Sequence, residues 1–305
     1  MKKSFLFLAL LFPLLSLGQQ SPLYSQYMLN DFVINPAIAG SKPFFPLRVN
    51  AREQWEDIGD IAPSTQSLSF HAPLGDGRVG LGGVIYQDKT GPTSQMAGML
   101  SYAYHLNMGK LSRLSLGVSA MLYQYKLDQS GLTTQNPDLA IDGTVYSEMI
   151  PDASFGAYLY GKTYYLGVSA YQLFETTFKE ASLNTFGENK GVRHYFAMAG
   201  YLAEINKSLH IEPSVLFKTI ESGPLQFDIN TRVIFNKKFW TGISLRTDRS
   251  LIALVGMNAG NFHLAYGFDY SLTSIASQTS GSHEISIGIN IPDPRNRRHV
   301  YYWRY

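Results

Sequence analysis

Three arrangements in this 305-residue chain come close to known chemistry, and each is incomplete. His283-Glu284 begins the H-E-x-x-H pattern, in which two imidazoles one helical turn apart hold zinc beside a general base. Position 287 is Ile, so the second ligand is missing. Gly117-Val118-Ser119, Gly167-Val168-Ser169 and Gly242-Ile243-Ser244 each begin the G-x-S-x-G turn that exposes a nucleophilic serine. Met121, Tyr171 and Arg246 stand where the closing glycine belongs. Gly80-Leu81-Gly82-Gly83 lies inside a strand pattern and opens no helix, so it offers no phosphate cradle. The seven histidines are scattered singly. The expectation is a protein that is not an enzyme, with no catalytic residue, metal ligand or cofactor.

The ionisable residues that do fall into a pattern are Asp228, Arg232, Arg246, Asp269 and Glu284. In "PLQFDINTRVIF", Leu225, Phe227, Ile229, Thr231 and Val233 share one face, opposite Gln226, Asp228, Asn230 and Arg232. Arg246, Asp269 and Glu284 likewise fall opposite the apolar face of their own runs. Two readings stay open for them: a paired network, or charges that merely line water.

What positions these residues is a series of period-2 strands. "RLSLGVSAMLY", "YYLGVSAY", "NFHLAYGFDY" and "HEISIGINI" each place an apolar set on one face and Gly, Ser or charge on the other. About fourteen such runs begin near Phe44, Ser64, Arg78, Pro92, Lys110, Pro151, Lys162, Arg193, Ser208, Pro224, Lys238, Ser250, Asn261 and Gly281. Every second connection is tight, as at Gly161-Lys162 and Asn206-Lys207. The longest connections, Leu127 to Ile150 and Phe174 to Val192, fall in the other set. A β-sandwich has no reason to sort its loops by parity, whereas an outer-membrane barrel has short periplasmic turns and longer extracellular loops.

Composition and targeting agree. Lys2 and Lys3, the apolar run Phe5 to Leu17 and the small residues before Gln19 predict a cleaved signal peptide over residues 1–18. Twenty Tyr, eighteen Phe and only 16% charged residues suit a barrel with aromatic girdles. With no cysteine there is no disulfide framework, and a formal charge of +2 points to no nucleic-acid partner. A charge on the lipid face near the midplane costs about 2–4 kcal/mol, so the five ionisable residues belong inside. The fold expected is all-β: a transmembrane antiparallel barrel of about fourteen strands over residues 44–291, in the outer membrane and in contact with its lipid. Residues 19–43 precede it and residues 292–305 form a basic-aromatic tail. "SPLYSQYMLNDFVINPAIAG", Ser21 to Gly40, holds too many apolar groups to remain in water. It is expected as a short plug or periplasmic segment.

That segment also carries a resemblance. "SQYMLNDFVINPAIAG" resembles the S-Q-Y-x-x-N…N-P-A-x-A-G signature of the PorP/SprF proteins of type IX secretion, found in gliding and secreting bacteria. "REQWEDIGDIAPSTQSLSFHAPL" is similar to that family's R-x-Q-W…P-x-T…H-x-P stretch. Tyr102-Ala103-Tyr104, Pro151 to Gly156 and Gly281 to Ile285 match further family motifs in order. The resemblance implies a non-enzymatic docking scaffold that secretes and attaches specific cargo proteins such as adhesins. It implies as partners a cargo with a C-terminal targeting domain and other type IX components. It singles out Ser25, Gln26, Tyr27, Asn30, Asn35, Pro36, Gly40, Arg52, Gln54 and Trp55. Two roles stay open for these: partner contact, or pinning the N-terminal segment to the first strand. The rival function is a channel for small hydrophobic solutes, since a plugged barrel of about fourteen strands also suits that task.

Overall fold

The computed structural model describes residues 24–109, 111–132, 143–178, 189–221 and 223–294. The expected signal peptide, residues 19–23 and most of the expected tail lie outside the described residues.

Fourteen strands form the wall: β1 (Phe44–Glu53), β2 (Ser64–Leu74), β3 (Val79–Thr90), β4 (Thr93–Met108), β5 (Ser112–Asp128), β6 (Val145–Gly161) and β7 (Tyr164–Tyr171) make the first half. β8 (His194–Tyr201), β9 (Leu209–Ile220), β10 (Gln226–Phe235), β11 (Phe239–Arg246), β12 (Ser250–Ala259), β13 (Phe262–Ser271) and β14 (Ser282–Pro292) make the second. Each pairs antiparallel with its neighbours in sequence, and β1 pairs with β14, so the sheet closes on itself. Closure leaves no edge strand, which is what permits a sheet to cross a bilayer. β8 is interrupted at the buried Leu202 and resumes as Ala203–Glu204 against β9.

Alternation is carried through faithfully. Leu116, Val118 and Leu122 of β5 and Ile243 and Leu245 of β11 are exposed on the outer wall. Ser115, Ser119, Ser244 and Arg246 of the same strands are buried inside. Outward aromatic side chains gather toward both rims, with Tyr104, Tyr201, Phe239 and Phe262 at one end and Tyr195, Phe227 and Tyr270 at the other. One end of the barrel carries only tight connections, including 162–163, 236–238 and 260–261. The other carries 54–63, 129–144, 172–193 and 272–281, together with the short 91–92 and 247–249.

One strand begins earlier than its pattern suggests. β6 starts at Val145, not near Pro151, because residues 145–150 pair with Tyr123 to Asp128 of β5. In residues 145–150 each face mixes the two kinds, with Ser147 between Val145 and Met149 and Glu148 between Tyr146 and Ile150, so this end lacks the clean apolar face of a wall strand. The long connection is therefore 129–144, shorter than Leu127 to Ile150.

Candidate functional site: the filled lumen

The barrel is not empty. Residues 24–41 lie inside it, and nearly all are buried; Phe32, Ala37, Ile38 and Ala39 are fully so. Asn-Pro pairs and small residues favour tight turns over a continuous helix. The segment accordingly folds as two short 3-10 turns, Asp31–Ile34 and Pro36–Ile38. Asn35 caps the second, its Oδ1 accepting from the Ala37 N–H at 2.9 Å, with Pro36 at the first position, where its missing donor costs nothing.

The segment is tied to the wall at three levels. The uppermost lies near the end with the long loops and centres on Ser25. The Ser25 hydroxyl donates to Asp269 at 2.6 Å and accepts from Arg52 at 2.9 Å and Arg246 at 3.0 Å. Glu284 accepts from the backbone N–H groups of Ser25 (2.8 Å) and Gln26 (3.1 Å), and from Asn50 at 3.0 Å. Arg52 bridges Asp269 (2.7 Å) and Glu284 (3.1 Å), while Arg246 holds Asp228 through its Nε at 3.0 Å and reaches Asp269 at 3.4 Å. Arg52 and Glu284 are direct cross-strand partners on β1 and β14, so this clamp sits on the seam where the barrel closes. Both guanidinium groups meet carboxylates, which is the condition for keeping such charges out of water.

The middle level belongs to Tyr27, Asn30 and Asn35. The Tyr27 hydroxyl meets Ser214 at 3.1 Å, and Asn30 accepts from Ser69 at 2.9 Å. Asn35 Nδ2 donates to the carbonyls of Ala157 (3.1 Å) and Val168 (3.2 Å), and Ser169 donates to the Ile34 carbonyl. At the short-turn end, Gly40 adopts a φ of +73°, which favours glycine, and donates its N–H to His71 at 3.1 Å. His105 donates from Nε2 to the Ala39 carbonyl at 2.8 Å, and its Nδ1 accepts from Tyr160 at 2.8 Å.

The wall makes room for this by omitting side chains. A Cβ on Gly80 would overlap Ala39, one on Gly117 would overlap Ala37, and one on Gly156 would overlap Asn35. On Gly167 it would stand 2.9 Å from Asn35 Nδ2, and on Gly82 it would press on Phe32. Glycine inside a strand commonly marks the close approach of another backbone, and here that backbone is the N-terminal segment.

The residues singled out from sequence therefore divide. Ser25, Gln26 and Arg52 meet in the clamp with Asp228, Arg246, Asp269 and Glu284. Tyr27, Asn30, Asn35, Pro36 and Gly40 fill the middle and lower lumen. Arg232 stands apart: it pairs with Glu212 and lies 5.1 Å from the Trp240 ring centre. Gln54 and Trp55 make no hydrogen bond to the described residues of the segment. They leave the sheet at the long-loop rim, where the Gln54 N–H donates to Pro63 and the Trp55 N–H to Ser282. Sequence reasoning missed Asn50, His71, His105 and the glycine lane. The signal for the lane was present, since Gly117, Gly156 and Gly167 all fall on inward positions of their strands.

Replacing Asn35 with Ala removes a cap and two bonds to the wall. It is expected to cost about 2 kcal/mol, read as an earlier loss of the heat-modifiable, folded band on electrophoresis, with the barrel otherwise formed.

A closed, antiparallel barrel with aromatic residues toward both rims and a polar interior is the architecture of the outer-membrane β-barrel proteins. This chain belongs to one family among them: the profile described as "Type IX secretion system membrane protein PorP/SprF" matches residues 16–289. No curated protein matches the chain. Among solved structures it is similar to a Pseudomonas aeruginosa FadL homologue (TM-score 0.51, 10% identity, covering 87% of this chain and 93% of that one). It is also similar to the CymD monoaromatic hydrocarbon channel (TM-score 0.49, 10% identity, covering 89% and 94%). At such identities the likeness concerns the fold alone.

Proposed function

We propose that this protein is a sealed docking scaffold for the secretion and surface attachment of specific cargo proteins, such as adhesins bearing a C-terminal targeting domain. Membership of the type IX family supplies the context. The observation that favours a scaffold over a pore is the N-terminal segment, buried in the lumen and bonded to the wall at three levels. Beside it remains a cavity of about 40 Å³ lined by Tyr24, Met99, Met121 and Phe196 among others. A cavity that binds benzene is roughly 150 Å³, so the channel reading requires the segment to move.

By the usual sidedness of such barrels, the long loops face outward. Cargo contact is assigned to that rim, to the connections named from sequence as Leu127 to Ile150 and Phe174 to Val192. Residues 133–142 and 179–188 of these lie outside the described residues. The signature residues inside the lumen act by pinning the segment to the wall, and Gln54 and Trp55 stand where a partner could reach them.

The test pairs a deletion with a conductance measurement. Deleting the gene is expected to remove one or a few large proteins from the surface while general secretion continues. The purified protein in planar bilayers is expected to show no steady conductance. Unchanged secretion with reduced uptake of hydrophobic solutes would replace the scaffold by the channel, and loss of every type IX substrate would make the protein a core part of the machine.

A further inference from the structure

The outer wall is not evenly clothed. On β8 the outward residues are Tyr195, Ala197, Ala199 and Tyr201, so the middle of the strand offers lipid nothing larger than methyl groups. Leu166 of β7 and Val215 of β9 stand on either side. The result is a furrow made of two cavities of about 480 Å³ each, which share Leu166, Ala199 and Val215. Phe217 and Phe227, packed edge to face at 5.1 Å, bound it on the side of the long-loop rim. Tyr164 and Tyr201 mark its opening at the short-turn end. The turns flanking that opening carry Lys162 and Lys207, both exposed and neither in an ion pair with another described residue.

We propose that the furrow holds one acyl chain of a phospholipid from the leaflet on the short-turn side. Its phosphate lies between Lys162 and Lys207 and its chain over Ala199 and Ala197. Three observations select this occupant. The furrow lies on the face that the fold turns toward hydrocarbon. Its mouth combines two cations with two phenols, the side chains suited to the headgroup level. From Tyr201 to Ala197 it runs about 13 Å at ~3.3 Å per residue, or about 10 Å of height on a strand tilted by ~40°, within one leaflet of an apolar band about 25 Å tall.

The protein would be reconstituted in nanodiscs of phosphatidylethanolamine and phosphatidylglycerol, returned to mild detergent and weighed by native mass spectrometry. One phospholipid is expected to stay bound. Filling the furrow with Ala197→Leu and Ala199→Leu is expected to lower retention about tenfold, while the outward Gly98→Leu, which meets nothing within 4 Å, leaves it unchanged. Lys162→Gln with Lys207→Gln lies in surface turns, leaves folding intact and is expected to lower retention severalfold. Wild-type protein free of lipid, or equal retention in the furrow and lysine variants, would overturn the proposal. So would a second copy on this face: the natural chain has no cysteine, and an Ala199→Cys protein that forms disulfide dimers in the membrane would assign the furrow to that copy.

Discussion

Replacing Arg52 with Met is expected to release the N-terminal segment from the upper lumen and to cost about 3–5 kcal/mol, the usual penalty for breaking a buried ion pair from one side. Arg52 is 2% exposed and binds Ser25, Asp269 and Glu284 together. Without it, Glu284 keeps only neutral donors, and Asp269 keeps a longer contact to Arg246. Two carboxylates would then face each other across a site nearly closed to water. The penalty arises from the charges left behind more than from the bonds lost. A triple variant, Arg52→Met with Asp269→Asn and Glu284→Gln, is therefore expected to recover part of the stability. The readouts are the heat-modifiable band, protease access to the N-terminal segment and steady conductance. If the single variant is harmless, or the triple is worse than the single, the clamp does not hold the segment.

How much of this was legible beforehand follows from what each signal encodes. Period-2 alternation assigns a residue to one face of its strand, and it placed Asp228, Arg246, Asp269 and Glu284 on faces that the structure turns inward. Alternation says nothing about height along the barrel or about neighbours hundreds of residues away. Register between strands decided that Arg232 meets Glu212 and stays out of the clamp, and that the hub is the hydroxyl of Ser25. The sequence motif grouped Gln54 and Trp55 with Arg52 because they are adjacent. In the structure, Arg52 is the last inward residue of β1 before the chain leaves the wall at the rim. The start of β6 was hidden for a different reason: the Val145 end of its hairpin carries too many polar residues to imprint an apolar face.

The glycines were the signal least used, and they carry the other large effect. Gly117→Leu is expected to expel the Pro36–Ile38 turn, because even its Cβ would overlap the backbone of Ala37. Overpacking a core typically costs about 1–3 kcal/mol when side chains can shift aside. Here the obstacle is main chain, held by the Asn35 bonds to Ala157 and Val168, so relief requires moving the whole segment. The wall itself should not suffer, since leucine packs better than glycine in a strand interior. The two effects then separate: a barrel that still shows a folded band, with a lumen that now conducts. Gly98→Leu supplies the matched control on the outer wall. If Gly117→Leu remains sealed with its N-terminal segment protected, the lane does not define the seat of that segment. If instead it conducts and the cargo still reaches the surface, the seal and the docking function are separate properties of one barrel.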